Sequence, residues 1–565
     1  MSGHSNPGKG NRRKAVLMMA LAIIASSRLP LEAQNTSVTG VVKSAAGEPV
    51  SGALVKVSSA ELRIEFMVVT QAQGRYSTPN LLPGKYTIQA FGGTHQSPSA
   101  DPIELRRGRQ GKTDVVLSAL LQISPREKRM TDAAEYEKLM PVSEDGIQHV
   151  IAGICSECHS LEWILSARKT PEKWQETLDR MGVKVIGNRR ALSPLVRPQR
   201  EHEDPLMMKY FSKHFTPGVP QDPRVVKQWL LRKGGPSHPN RNLPPTLLTG
   251  AAAKYFAMEF SLPAGSAPHD IAVDSQGIAW VSERNTGMLG RFDPNSLAYS
   301  RMASPPGAYP EFQLNAVAVD PQDQIWCVDD GPNARILQYD PKSREFNSYP
   351  IPEYRWPVPE IGWARIQTLG FLKGQVWAAG KTSDRIIRLD PKTRRFTHYP
   401  LPRISVPFGL AISSGMVWYS AQVGNAVMKL DPSTSRLTPF IVPTLRSGLR
   451  GMAADGEGNL WVAALESGKL VNVDRTGKIT EYSPPTEDPG PFAVAVDAKR
   501  NLIWFSEVFS DRIARFDPST STFVEFPHPS ADSDVRRIEV DRSHPNRVWW
   551  SSPRNDKIGY MEVMD

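Results

Sequence analysis

The chain has 565 residues, 22% of them charged and 40% apolar, with 49 prolines and 41 glycines, and no single ordinary hydrophobic core accommodates that length. This composition excludes a long-helix or coiled-coil protein and describes a loop-rich, mainly β, multidomain chain. A formal charge of +10 raises the question of nucleic acid. The lysines and arginines are scattered among acids and no recognition motif is present, so the expectation is no nucleic acid and a solvated surface, or docking to an acidic partner.

Residues 1–33 read as a signal peptide: basic Arg12, Arg13 and Lys14, an apolar run from Ala15 to Ala25, and the small-residue exit Leu31-Glu32-Ala33. The run falls short of the roughly 20 residues that span a bilayer. The expectation is a periplasmic or secreted protein with no stable membrane span after cleavage. An uncleaved anchor, or twin-arginine export through Arg12-Arg13, is the alternative.

From residue 36 to 120 apolar and polar residues alternate between Gly and Pro turns, which predicts a small antiparallel β-sandwich. Gly40-x-Val42, the string GEPVSGA from Gly47 to Ala53 and LPGKY from Leu82 to Tyr86 carry a resemblance to the carboxypeptidase regulatory-like family. That resemblance implies an accessory module without catalysis, of structural or adhesive service.

Residues 130–235 change to helical texture, with a helix start at Thr170-Pro171-Glu172, where a hydroxyl cap precedes proline and an acid in the first turn. Inside this segment the string C-S-E-C-H places Cys155, Cys158 and His159 as the attachment motif of c-type haem. Two thiols one helical turn apart add to the two vinyl groups, and the adjacent imidazole reaches the iron as its fifth ligand. A redox dithiol would need a βαβ setting, and a zinc site a second ligand pair; neither is visible. The third cysteine, Cys327, follows Trp326 in an apolar strand and reads as a buried small hydrophobe.

The segment resembles short bacterial cytochrome c domains through Arg168, Lys169, Trp174, Arg180 and Met181. It implies a small all-α cytochrome c domain with Met181 as the sixth iron ligand. Met207, Met208, His202 and His214 stand as alternatives.

Residues 253–565 repeat. Tryptophans at 280, 326, 377, 418, 461, 504 and 549 are separated by 46, 51, 41, 43, 43 and 45 residues. Each unit offers an apolar strand, a Trp strand, a strand ending in Asp and a fourth strand, which predicts a seven-bladed β-propeller with the tryptophans in its core. The last unit lacks a fourth strand, and YFAMEFSLP at 255–263 has the texture to supply it from the N-terminal side.

The strings Ala267-Pro268-His269-Asp270 and Trp280-Val281-Ser282-Glu283 make this region similar to the virginiamycin B (streptogramin) lyase family. That resemblance implies magnesium-dependent opening of a lactone by elimination, with His269 as base and Glu283 at the central face. The chain departs from it: Phe408 and Phe492 stand at the His position in the fourth and sixth repeats, and Glu507 repeats the Glu position alone.

The leading expectation is therefore an exported monohaem electron-transfer protein. One covalent haem c would exchange electrons with a redox protein or a small donor or acceptor, while the propeller binds a substrate or partner. Lyase-like lactone opening with Mg2+, a haem-linked dehydrogenase, or a surface interaction protein with a sensor haem are the alternatives.

Overall fold

Strict alternation builds the first domain: in Ser37–Ser44 every second side chain is buried, and Leu54–Ser59, Ile64–Val69 and Gly84–Gly92 supply the facing residues of the core. The computed structural model describes residues 36–99, 101–121, 133–156, 161–181, 196–232, 242–307, 313–330, 333–352, 366–381, 383–402 and 405–564. One sheet of this domain holds Ser37–Ser44 between Arg75–Ser77 and Gln110–Lys112. The other sheet does not stop at the domain boundary.

Among the described residues of the middle segment there are six α-helices: α1 (Ala133–Glu137), α2 (Ile147–Ser156), α3 (Glu162–Leu165), α4 (Pro171–Met181), α5 (Val196–His214) and α6 (Pro223–Arg232). Helix α4 starts at Pro171, and the Lys173 amide donates to Thr170 Oγ1 at 3.4 Å. Trp174 is the centre of the helical core: it stacks on Phe211 with centroids 4.4 Å apart and donates its indole N–H to the Phe215 carbonyl at 2.8 Å. No helix of the described residues is long and apolar enough to cross a membrane.

Seven four-stranded units follow, at 268–303, 314–350, 366–400, 407–441, 449–482 and 491–527, with the seventh made from Arg537–Val540, Arg547–Ser552 and Lys557–Val563 plus Tyr255–Ser261. Each unit's first strand touches the next unit's first strand, and Arg537–Val540 touches Pro268–Val273, so the units close into a ring. All seven repeat tryptophans are 8% exposed or less. In blades 1, 2, 5 and 7 one carboxylate organises the turn: the Trp280, Trp326, Trp461 and Trp549 indoles donate to Asp274, Asp320, Asp455 and Asp541 at 2.8–3.0 Å. The other oxygen of Asp274 accepts the Gln276 and Ile278 amides, and Asp320 and Asp455 do the same in their turns. Aspartate and tryptophan recur together because one caps the turn that buries the other.

Tyr255–Ser261 pairs with Lys557–Val563 on one edge, as the texture of that segment predicts. Its other edge pairs with Ile64–Val69 of the first domain. The result is one ten-stranded sheet shared by sandwich and blade 7, with a common core that includes Val55, Tyr86, Met258, Phe260 and Trp549. The sandwich is therefore built into the propeller's outer wall, whereas sequence reading treats it as an appended accessory module.

The seam places Glu65 directly opposite Glu259. Lys557 lies between them, 2.8 Å from Glu65 and 3.2 Å from Glu259, and Lys56 sits 3.1 Å from the other Glu65 oxygen. Burial opposes ionisation of Glu65, but the two lysines win and hold its carboxyl down at about 2. A depressed folded-state value means that this stabilisation is present above the ordinary 4.5 and is lost as pH falls through about 2. Lys557→Met leaves buried Glu259 without its cation and Glu65 with Lys56 alone, and is expected to cost about 3 kcal/mol at pH 7. Urea unfolding at pH 7 and pH 3 checks it, because the penalty must shrink at the lower pH as the carboxyls protonate.

Candidate functional site

The first strand of each of blades 1 to 6 carries a one-residue bulge near its start. In blade 1 the bulge is His269-Asp270; in blade 4 it is Phe408-Gly409, in blade 5 Arg450-Gly451 and in blade 6 Phe492-Ala493. Pairing of the Trp strands puts Arg536 of blade 7 at the same position as His269.

Serines two residues after the tryptophans hold these bulges. Ser282 Oγ accepts the Asp270 amide at 3.0 Å and donates to the Asn315 carbonyl of the next blade at 2.6 Å. Ser420 joins Gly409 to Arg450 in the same way, and Ser551 donates to the His269 carbonyl at 2.8 Å. Each bridge ties one blade's bulge to its neighbour's. The Trp-x-Ser pattern at 280, 418, 504 and 549 is visible in the sequence and is the signal that sequence reading left unused.

The bulge residues meet across the ring. Phe408 and Phe492, two blades apart, contact edge to face at 5.5 Å, and the Arg450 guanidinium lies 5.3 and 5.9 Å from their centroids. Lys381 stands 4.8 Å from the Phe408 ring and Arg536 5.9 Å from the Phe492 ring. Arg450 and Arg536 are site residues that the lyase resemblance does not supply. Their signal is positional, since each stands at the His269 register of its own repeat.

His269 is 4% exposed, and its Nδ1 lies 2.8 Å from Asp270 Oδ1. Burial lowers its pKa below the ordinary imidazole value; Asp270 pulls it up, and Arg536 and Arg284 push it down. The neutral ring donates Nδ1–H to Asp270, which leaves Nε2 as the basic atom.

Glu283 is not brought to His269 by any hydrogen bond. Its carboxylate accepts from Tyr299 at 2.7 Å, Thr286 at 2.7 Å and Arg301 at 2.6 Å, all within blade 1. Gly290 permits this: a Cβ there would lie 1.9 Å from the Tyr299 hydroxyl that crosses to Glu283. Glu507 is likewise held locally, accepting from Ser510 at 2.8 Å.

A magnesium ion does not fit these residues. Glu283 is already neutralised by Arg301, the charges that reach His269 include two arginines, and no trio of His, Cys, Asp or Glu that could hold a metal exists among the described residues.

The haem motif is placed only in part. Cys155 belongs to α2 and Met181 ends α4, but their side chains, and Cys158 and His159 entirely, lie outside the described residues. The His202 side chain does too. Met207 is buried at 1% in the helical core with Met208 partly buried beside it, and the His214 ring lies tilted against Tyr210 at 4.9 Å. The donor types, two thiols and an imidazole in the order Cys-x-x-Cys-His, are those that covalent haem uses. Cys327 is fully buried in blade 2, and burial holds its thiol up at about 12, so it is inert packing.

The Virginiamycin B lyase family matches residues 316–564, and the carboxypeptidase regulatory-like domain matches residues 37–118. The first match begins in blade 2 and so omits His269 and Glu283. A streptogramin B lyase structure is 23% identical with a TM-score of 0.50, covering 56% of this chain and 100% of its own. Virginiamycin B lyase from Staphylococcus aureus is 20% identical with a TM-score of 0.49, covering 55% and 100%. Likeness at these identities is likeness of fold. No curated protein matches the chain. The chain thus carries a carboxypeptidase regulatory-like domain and a virginiamycin B lyase-like propeller.

Two measurements check the site. Nitrogen-15 shifts of His269 are expected to show a neutral Nδ1–H ring at pH 7, and Asp270→Asn to lower its pKa further by removing the one attractive charge. Ser420→Ala strands a buried amide and a buried carbonyl and is expected to cost about 2 kcal/mol in urea unfolding.

Proposed function

We propose that the chain is an exported haem c protein whose propeller recognises an organic ligand at the ring of bulge residues. The observation that supports the recognition half is the convergence of Phe408, Arg450, Phe492 and Arg536 beside His269. Rings and guanidinium groups side by side suit a planar or carbonyl-bearing ligand: the rings cover its face and the guanidinium groups bind its oxygens. The haem half rests on Cys155, Cys158 and His159, with Met181 as the sixth ligand. When bound, the iron supplies one-electron chemistry with a redox protein or small donor or acceptor, and the chain's own share is to position and insulate it.

Lyase-like elimination is the second reading, favoured by the fold of the propeller and by a neutral His269 whose Nε2 suits proton abstraction. In that reading Asp270 holds the ring and Arg450 and Arg536 stabilise the developing oxyanion, without a metal. A haem-linked dehydrogenase would use the same ring to hold a substrate that the haem oxidises.

Expression with cytochrome c maturation proteins separates these. Haem that resists acid-ketone extraction is expected, and Met181→Ala is expected to abolish the weak far-red sulfur-to-iron band; extractable haem overturns the covalent assignment. Opening of a streptogramin lactone by wild type and its loss in His269→Ala would move the elimination reading to first place.

A further inference from the structure

Blade 1 departs from the other six at one position. The fourth-strand residue that pairs with Leu289 is Met302, where the other blades carry Tyr349, Tyr399, Phe440, Tyr482, Phe526 and Phe260. In blades 2 to 6 that ring packs on the blade's tryptophan at 5.3–5.8 Å. In blades 3, 4 and 6 a cation paired opposite the tryptophan lies over both rings: Arg388 at 5.8 and 5.9 Å, Lys429 at 5.6 and 6.0 Å, Arg515 at 5.6 and 5.8 Å. Arg291 holds that register opposite Trp280, but it has no second ring to cover, and no hydrogen bond or ion pair engages it among the described residues.

The missing ring leaves a cleft of about 720 Å³ between blades 1 and 2. Arg291, Ser300 and Met302 form one wall, and Gln322, Gln324 and Tyr339 the other. Its size is that of a small-molecule pocket. The carboxylates that border it are already engaged: Asp274 by the Trp280 indole and turn amides, Asp323 by the Ser275 amide, Asp340 by the Lys342 amide and Gln324. Lys342 and Arg344 also line the cleft, so with Arg291 three cations face three carboxylates and no net positive field draws in a dianion such as phosphate. Arg291 offers a planar fork suited to one carboxylate, and Gln322 and Ser300 offer both donors and acceptors suited to hydroxyls.

We infer that this cleft binds a hydroxyl-rich monocarboxylate, a sugar acid, at a site separate from the central ring. Titration calorimetry of the full chain with D-glucuronate, D-glucose and inorganic phosphate tests it. Glucuronate is expected to bind at least about tenfold more tightly than either control, and Arg291→Gln to reduce its affinity by about tenfold. Met302→Phe installs the ring that six blades already tolerate and is expected to abolish binding without lowering the melting temperature. Absence of glucuronate binding, equal binding of glucose or phosphate, or binding that survives both substitutions would overturn the inference. The His269 ring lies elsewhere, so none of these outcomes bears on the proposed function.

Discussion

Two glutamates face each other across the seam between the first domain and the propeller, and Lys557, which reaches both, with Lys56 on Glu65, turns that repulsion into a bond. Like charges directly opposite on neighbouring strands destabilise a sheet. Glu65 and Glu259 occupy such positions, and Lys557, from the strand on the far side of Glu259, reaches both. The consequence is structural continuity. Tyr255–Ser261 is hydrogen-bonded on both edges, so the strand that closes the propeller is also the strand that carries the sandwich.

Once the ring is closed, its geometry is set by short polar bonds inside an apolar mass. The Asp to indole bonds fix each first turn, and the Ser bridges fix the bulges relative to one another. Because a bulge re-aims side chains, the ring of His269, Phe408, Arg450, Phe492 and Arg536 follows from backbone register. Where the register is kept and one side chain changes, as at Met302, the fold survives and a cleft opens.

The periodicity of the sequence made the propeller, its tryptophan core and its closing strand legible, because each of those depends on local pattern repeated seven times. The pairing of Ile64–Val69 with Tyr255–Ser261 was not legible: it joins segments about 190 residues apart and leaves no mark beyond the alternation any edge strand shows. The placement of Glu283 was misleading for a different reason. Its motif position is right for the lyase resemblance, but Tyr299, Thr286 and Arg301 capture it, and they lie outside the motif. His269 and its partner Asp270 are adjacent in sequence, so their pairing is legible there. Arg450 and Arg536 share the His269 position only through strand register, which no local motif marks.

The two candidate chemistries place opposite demands on this ring. An elimination needs a base that substrate can reach and an electrophile beside the leaving oxygen. His269 has the neutral state of a base, yet it is nearly enclosed, and the Phe408, Arg450 and Phe492 side chains occupy the space where blades 4 to 6 converge. Binding makes the lesser demand, since rings and guanidinium groups held by neighbouring blades lose little freedom when a ligand settles on them. Elimination is also redox-neutral, so under the proposed haem reading the one-electron chemistry would belong to Cys155, Cys158 and His159 and not to this ring. A metal-dependent lyase would have to free Glu283 from Tyr299, Thr286 and Arg301 before a cation could take it.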